Sequence, residues 1–247
     1  MQKKKVSVTY RVLKWFVWLF SPKMKVQGAE NIPDEPVIIV GNHCQMYGPI
    51  ACELYSPVPR RTWCAGQMME WKEVPGYAYE DFWSGKPAHS RWFYKLLAHL
   101  ITPVSVCLFN NAETIPVWRD SRILSTFRST VNSLQQGVSV VIFPEHDVLR
   151  NNIIYDFQDR FIDVARLYYK KTGRAAAFVP LYIAPKLSVM VYGAPVRFDP
   201  DAPIEQERRR ICEHLMEEIT ALGRGLPRHT VVPYRNIAKK DYPCNIL

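Results

Sequence analysis

The six cysteines among the 247 residues include no CxxC pair. That spacing argues against a structural zinc site, and several of the cysteines sit inside apolar patterns, as reduced thiols of a reducing compartment do. No stretch approaches the roughly 20 consecutive apolar residues of a membrane-spanning helix. There is no internal repeat and no low-complexity linker, so neither a solenoid nor a string of tethered modules is expected. No acidic residue occurs before Glu30.

What is present begins with that one-sided charge. The formal net charge is +9, which calls for an anionic partner. Lys3, Lys4, Lys5, Arg11, Lys14, Lys23 and Lys25 all precede the first acid. A basic terminus favours a membrane surface over a nucleic-acid face. No nucleic-acid motif accompanies it, so nucleic acid is not an expected partner. Between Tyr10 and Phe20 the segment carries two tryptophans beside Arg11 and Lys14. Such a mixture suits a helix lying in the headgroup region. A signal peptide is the rival, and the internal charges and the missing small-x-small site count against it. A helix packed on the domain is the plainer alternative.

With 48% hydrophobic residues, the chain has enough apolar material for a sizeable core. Apolar runs at 37–40, 138–143, 176–183 and 187–192 read as strands, with 113–118 a further short one. Residues 122–136, 156–171 and 203–222 have helical periodicity. In the last, Arg208–Arg210 form a solvated face. Strands alternating with helices predict a single α/β domain, its mostly parallel central sheet flanked by helices. Residues 70–83 look like a loop or lid. Residues 91–101 look like a helix ended by Pro103. The division expected is a membrane-associating segment 1–27, a domain 28–223 and a loosely held tail 224–247.

Two stretches share one layout. VIIVGNHCQMYG (37–48) is an apolar strand that delivers Asn42 and His43 to a turn. VSVVIFPEHD (138–147) is a strand followed by a turn carrying Glu145, His146 and Asp147. In one parallel sheet both turns would open on its carboxyl edge, where α/β proteins place their sites. A Cys44–His43 nucleophile pair is disfavoured, because neighbours on an extended turn point apart. Metal binding by His43, Glu145, His146 and Asp147 is also disfavoured, because tight ligand spacing is lacking.

Taken in order, four blocks resemble the glycerolipid acyltransferase superfamily, the glycerol-3-phosphate and lysophosphatidate acyltransferases. Asn42-His43 resembles its His-x4-Asp block. Ile115-Pro-Val-Trp-Arg119 resembles the strand ending in a phosphate-binding Arg. Phe143-Pro144-Glu145 resembles the start of Phe-Pro-Glu-Gly-Thr-Arg. Phe178–Ile183 resembles the apolar strand containing Pro. The later Gly193-Ala-Pro-Val196 is similar to a Gly-x-Pro turn. Two positions depart. Gly48 stands where the Asp is expected, and His146-Asp147-Val148 where Gly-Thr-Arg is expected.

The resemblance implies acyl transfer from acyl-CoA or acyl-carrier protein to the hydroxyl of a lysophospholipid or glycerol phosphate. It implies a peripheral enzyme at the cytoplasmic face of the cell membrane, with no cofactor beyond the thioester co-substrate. His43 would take the hydroxyl proton during attack on the thioester, and no acyl-enzyme is needed. Backbone N–H groups at the turn or helix entrance would hold the oxyanion. Asn42, Arg119, Pro144, His146 and Arg150 would bind substrate, with Arg119 gripping a phosphate and Arg150 replacing the missing arginine. Glu145 or Asp147 would replace the missing orienting acid. Loss of such an acid costs serine proteases about 10⁴ in rate, so a lipid-binding pseudoenzyme is the alternative expectation.

Overall fold

The computed structural model describes residues 7–112, 114–118 and 120–246. In chain order the elements are α1 (Val8–Phe20), β1 (Lys25–Gln27), β2 (Ile38–Gly41), α2 (Tyr47–Tyr55), β3 (Arg60–Ala65), α3 (Val74–Trp83), α4 (Arg91–Asn111), β4 (Thr114–Val117), α5 (Ile123–Gln135), β5 (Ser139–Ile142), β6 (Glu145–Leu149), β7 (Tyr155–Phe157), α6 (Asp163–Thr172), β8 (Ala177–Ala184), β9 (Val189–Tyr192), β10 (Val196–Arg197) and α7 (Ile204–Gly225). The fold is α/β with a mostly parallel central sheet flanked by helices. Two compact units divide the chain, one of Met1–Ser21 with Trp63–Thr126, the other of Pro22–Thr62 with Phe127–Leu247.

In the larger unit, β2 lies between β8 and β5 and runs parallel to both. The start of β3 extends the sheet beyond β5, again in parallel. On the other side β9 turns back antiparallel onto β8, and β1 pairs with β9. Every residue of β8 is buried, as an apolar run without alternation requires of a strand covered on both faces. Side-chain alternation assigns the faces. Val179, Leu181 and Ile183 join Ile39, Val141 and the α2 residues Ala51 and Cys52 in one core. Tyr182 points to the other face, against Gly223 of α7. That helix buries Ile211, Leu215 and Ile219 as its periodicity predicts. Arg208 differs from the expected solvated face: its guanidinium takes both carboxylate oxygens of Asp163 on α6, at 2.9 and 2.8 Å.

The smaller unit carries α1, α3 and α4. Residues 70–83 are not the loop expected, since α3 occupies most of them, with Pro75 in its first turn, where no intrahelical N–H bond is lost. Pro103 does not end α4 but lies within it. An interior proline costs about 3 kcal/mol. Tertiary ties offset it: Ser105 Oγ donates to the Met68 carbonyl at 2.9 Å, and Asn110 Nδ2 to that of Met69 at 3.0 Å. With the short helical turn before it, the stretch Ala88–Asn111 is long and apolar enough, by length and composition, to cross a membrane. An uninterrupted run does not reveal it, because Arg91, Lys95 and His99 break the apolar residues. Trp15, Trp18 and Phe20 of α1 and Trp92, Leu96 and Leu100 of α4 are exposed.

Two further expectations change in the larger unit. Residues 145–157 form a hairpin, β6 with β7, and not a turn leading to a helix. Helix α6 begins only at Asp163. The segment after Arg224 is not loose. Thr230 bridges Cys244, and the Asn245 side chain donates to the carbonyls of Gly223 (2.9 Å) and Leu226 (3.1 Å) while accepting from the His229 N–H (2.8 Å). Asn245 is 1% exposed. Asn245→Ala would strand these buried groups, at about 1–3 kcal/mol each before relaxation. A loss of at least about 2 kcal/mol is expected in urea unfolding. A change below about 0.5 kcal/mol would show that the segment is only loosely tied.

Candidate active site

Strand β2 ends at Gly41, and the next residue fixes the turn. Asn42 is buried and pairs its amide with one residue of β8. Its Oδ1 accepts the Ile183 N–H at 2.7 Å and its Nδ2 donates to the Ile183 carbonyl at 3.1 Å. The side chain thus continues the β2–β8 ladder one step past the strand. That is a structural use of a residue expected to bind substrate. Cys44 and Gln45 follow with φ of 48° and 55°. Left-handed backbone costs a non-glycine residue about 1–2 kcal/mol. Cys44 Sγ points inward, 3.2 Å from the Ile183 carbonyl, and burial raises its pKa well above the ordinary value. It is no nucleophile partner for His43.

These bends throw His43 outward at the carboxyl edge of the sheet, half-buried. Its imidazole meets two aromatic rings nearly at right angles. Phe143, just past β5, lies 5.3 Å away centroid to centroid, and Tyr234 lies 5.8 Å away. Burial lowers the His43 pKa to about 4, with the Gln45 backbone acting in the opposite sense. The ring is therefore neutral at physiological pH, the form a general base needs. Among the described residues no regular hydrogen bond reaches its buried Nδ1.

Glu145 is the residue that joins the two sequence stretches. Its side chain is fully enclosed, yet it accepts two backbone N–H groups: that of His43 on Oε2 at 2.5 Å and that of Tyr155 on Oε1 at 3.0 Å. Burial pushes its pKa up to about 7, and the two donors oppose the shift. The carboxylate braces the backbone of the histidine turn and not its ring. Asp147 lies farther out on β6, exposed, with Arg235 as its ion-pair partner at 3.7 Å. His146 Nε2 faces Asp156 at 3.8 Å. Pro144 is buried, and its carbonyl accepts the Gln158 N–H at 2.9 Å. Arg150 is exposed at the hairpin end. Arg119 lies outside the described residues.

Gly48 is more than a missing carboxylate. A Cβ at this position would fall on the His43 carbonyl oxygen, well inside contact distance, with the Asn42 carbonyl oxygen at 3.0 Å. The turn has closed over the place from which an Asp side chain would start. The Gly48 N–H donates to the His43 carbonyl and the Tyr47 N–H to that of Cys44, both at 3.1 Å. Two of the donors expected for an oxyanion are thus already engaged. Among the described residues no three His, Cys, Asp or Glu side chains converge as metal ligands. Sequence reasoning missed Tyr234. Nothing in the pattern after Arg224 marks it beyond the apolar Val231-Val232-Pro233 that leads into it.

Two outcomes follow for this turn. Restoring the acid by Gly48→Asp is expected to lower stability by about 1–3 kcal/mol, as overpacking does, and to leave any transfer rate no higher; a faster, stable variant would refute the closed turn. Glu145→Gln replaces one acceptor by an NH₂ that faces a donor, costing about 1–3 kcal/mol. Its pH dependence carries a sign. Glu145, raised from 4.5 to about 7, binds more protons folded, so its contribution falls as pH rises through that window. His43, lowered from 6.5 to about 4, binds more protons unfolded, so its contribution rises with pH between those values. Removing Glu145 therefore should leave stability climbing more steeply from pH 4.5 to 6.5, as read by urea midpoints.

No family model matches the chain, and no curated protein matches it. Among solved structures it is similar to the crystal structure of the 1-acyl-sn-glycerophosphate (LPA) acyltransferase PlsC from Thermotoga maritima, at 16% identity and a TM-score of 0.47, over 86% of this chain and 79% of that one.

Proposed function

We propose that this protein transfers an acyl group from a thioester to the hydroxyl of a glycerolipid acceptor, with His43 as general base. One observation carries the assignment. A neutral histidine stands on a strained turn at the carboxyl edge of a parallel sheet, its backbone held by a buried glutamate. Strain of this kind is retained where the surrounding structure over-determines it, and such places are enriched in active sites. The hydroxyl proton passes to His43 as the alcohol oxygen attacks the thioester carbonyl. The tetrahedral intermediate then collapses, the C–S bond breaks, and the proton returns to the thiolate.

Arg119 and Arg150 are the proposed grips for an acceptor phosphate, and acyl-CoA or acyl-carrier protein the proposed donors. The exposed aromatic and aliphatic faces of α1 and α4, flanked by Arg11, Lys14, Arg91 and Lys95, support seating of the smaller unit on an anionic leaflet. A peripheral position at the cytoplasmic face of the membrane follows from that proposal. A second reading, a lipid-binding protein without turnover, is favoured by the closed turn at Gly48, which leaves no place there for an orienting acid.

Purified protein on anionic phospholipid vesicles, given long-chain acyl-CoA or acyl-carrier protein with lysophospholipids or glycerol phosphate, is expected to form the acylated acceptor. His43→Ala should lower that rate by about 10²–10⁴. Vesicle binding without transfer, equal in both proteins, would support the second reading.

A further inference from the structure

The chain from Thr230 to Cys244 is a loop tied at its neck. Besides the bridge between those two residues, the Val231 N–H donates to the Pro243 carbonyl at 2.8 Å and the Asn245 N–H to the His229 carbonyl at 3.1 Å. Val232 is buried in the same core as Ala51 and Cys52 of α2. From this fixed neck the loop reaches over the histidine turn. Gln45 Nε2 donates to Tyr242 Oη at 2.9 Å and lies 3.4 Å from the Arg235 carbonyl. Arg235 pairs with Asp147 on the hairpin. Between these ties stands Tyr234, its ring 5.8 Å from both His43 and Tyr155.

We infer that Tyr234 is the positioning residue for His43. A catalytic imidazole must be held in plane. A carboxylate on Nδ1 commonly does this, but among the described residues no regular hydrogen bond reaches Nδ1, and Gly48 leaves no space for an acid. Beside the Gln45 backbone, two aromatic edges flank the ring, Phe143 at 72° to it and Tyr234 at 87°. Edge-to-face pairs of this kind have a preferred geometry. The loop ties set the Tyr234 ring, and that ring with Phe143 sets the plane of the imidazole. The same cover keeps water from one side of His43, and thereby keeps the ring neutral. The Asp147–Arg235 pair belongs to this arrangement as a strut, not as an acid for the imidazole.

Resting on His43 as base, the inference has a readout independent of turnover. In the full chain, the His43 ring signals are followed by NMR against pH for wild type, Tyr234→Phe, Tyr234→Leu and Tyr234→Ala. Wild type and Tyr234→Phe should titrate near pH 4, while the Leu and Ala variants move toward 6.5. In the transfer assay the Leu and Ala variants should lose about tenfold to a hundredfold in kcat with little change in KM, as misplacement of a reacting group does, and Phe should restore it. The Leu variant keeps the site filled should Ala unfold the loop. Titration of all four at the same pH would overturn the inference, whether or not transfer is seen. Absence of transfer in wild type, with the titration shift intact, would overturn the acyltransferase assignment alone.

Discussion

One enclosed carboxylate holds the candidate site together. Glu145 takes the backbone N–H of His43 from one strand–turn stretch and that of Tyr155 from the returning arm of the hairpin. His43 lies past the end of β2 and Tyr155 opens β7, so the carboxylate satisfies one backbone N–H in each segment. The left-handed turn at Cys44 and Gln45 is tolerable because this bond and the Asn42–Ile183 pairing fix it from both ends. The hairpin in turn supplies Tyr155 and Asp147, against which the last loop packs. Remove the carboxylate and three separate segments lose their common point.

This arrangement changes what the departures from the acyltransferase pattern mean. At Gly48 and after Glu145 the chain lacks the expected Asp and the expected Gly-Thr-Arg. The two substitutions are structurally distinct. The first belongs to a turn that has tightened until no side chain fits. The second replaces a turn with a strand, in which Glu145 pairs with Phe157 and Leu149 with Tyr155. Aromatic edges occupy the space around an imidazole that a carboxylate would otherwise orient. Such a ring gains no electrostatic support for its protonated form, so it is a weaker base than a carboxylate-backed histidine.

Much of the central sheet was legible because buried parallel strands announce themselves as short β-branched runs, as at Ile38–Val40 and Val140–Ile142. Helices α5 and α7 were legible for the same kind of reason, a clean one-sided periodicity. The hairpin was not. Glu145-His-Asp has poor strand propensity, and its pairing is decided by the buried carboxylate and by residues ten positions away. Helix α4 ran past Pro103 because tertiary hydrogen bonds outweighed a local penalty. Of the site, His43 and Glu145 stood in recognisable blocks. Tyr234 did not, since its contact with His43 depends on a neck formed by Thr230 and Cys244, and no local pattern encodes a long-range closure.

That closure also has a bearing on the order of events in the cell. Gln45 and Tyr242, which join the histidine turn to the last loop, lie 197 residues apart in the sequence. A ribosome extends the chain from its amino end at about 5–20 residues per second. The histidine is therefore made many seconds before the tyrosine that flanks it. Throughout that interval the turn lacks its cover, and an imidazole open to water on that side has its ordinary proton affinity. The site would take its final form only once Tyr234 and Tyr242 have been made and the loop has closed over the turn.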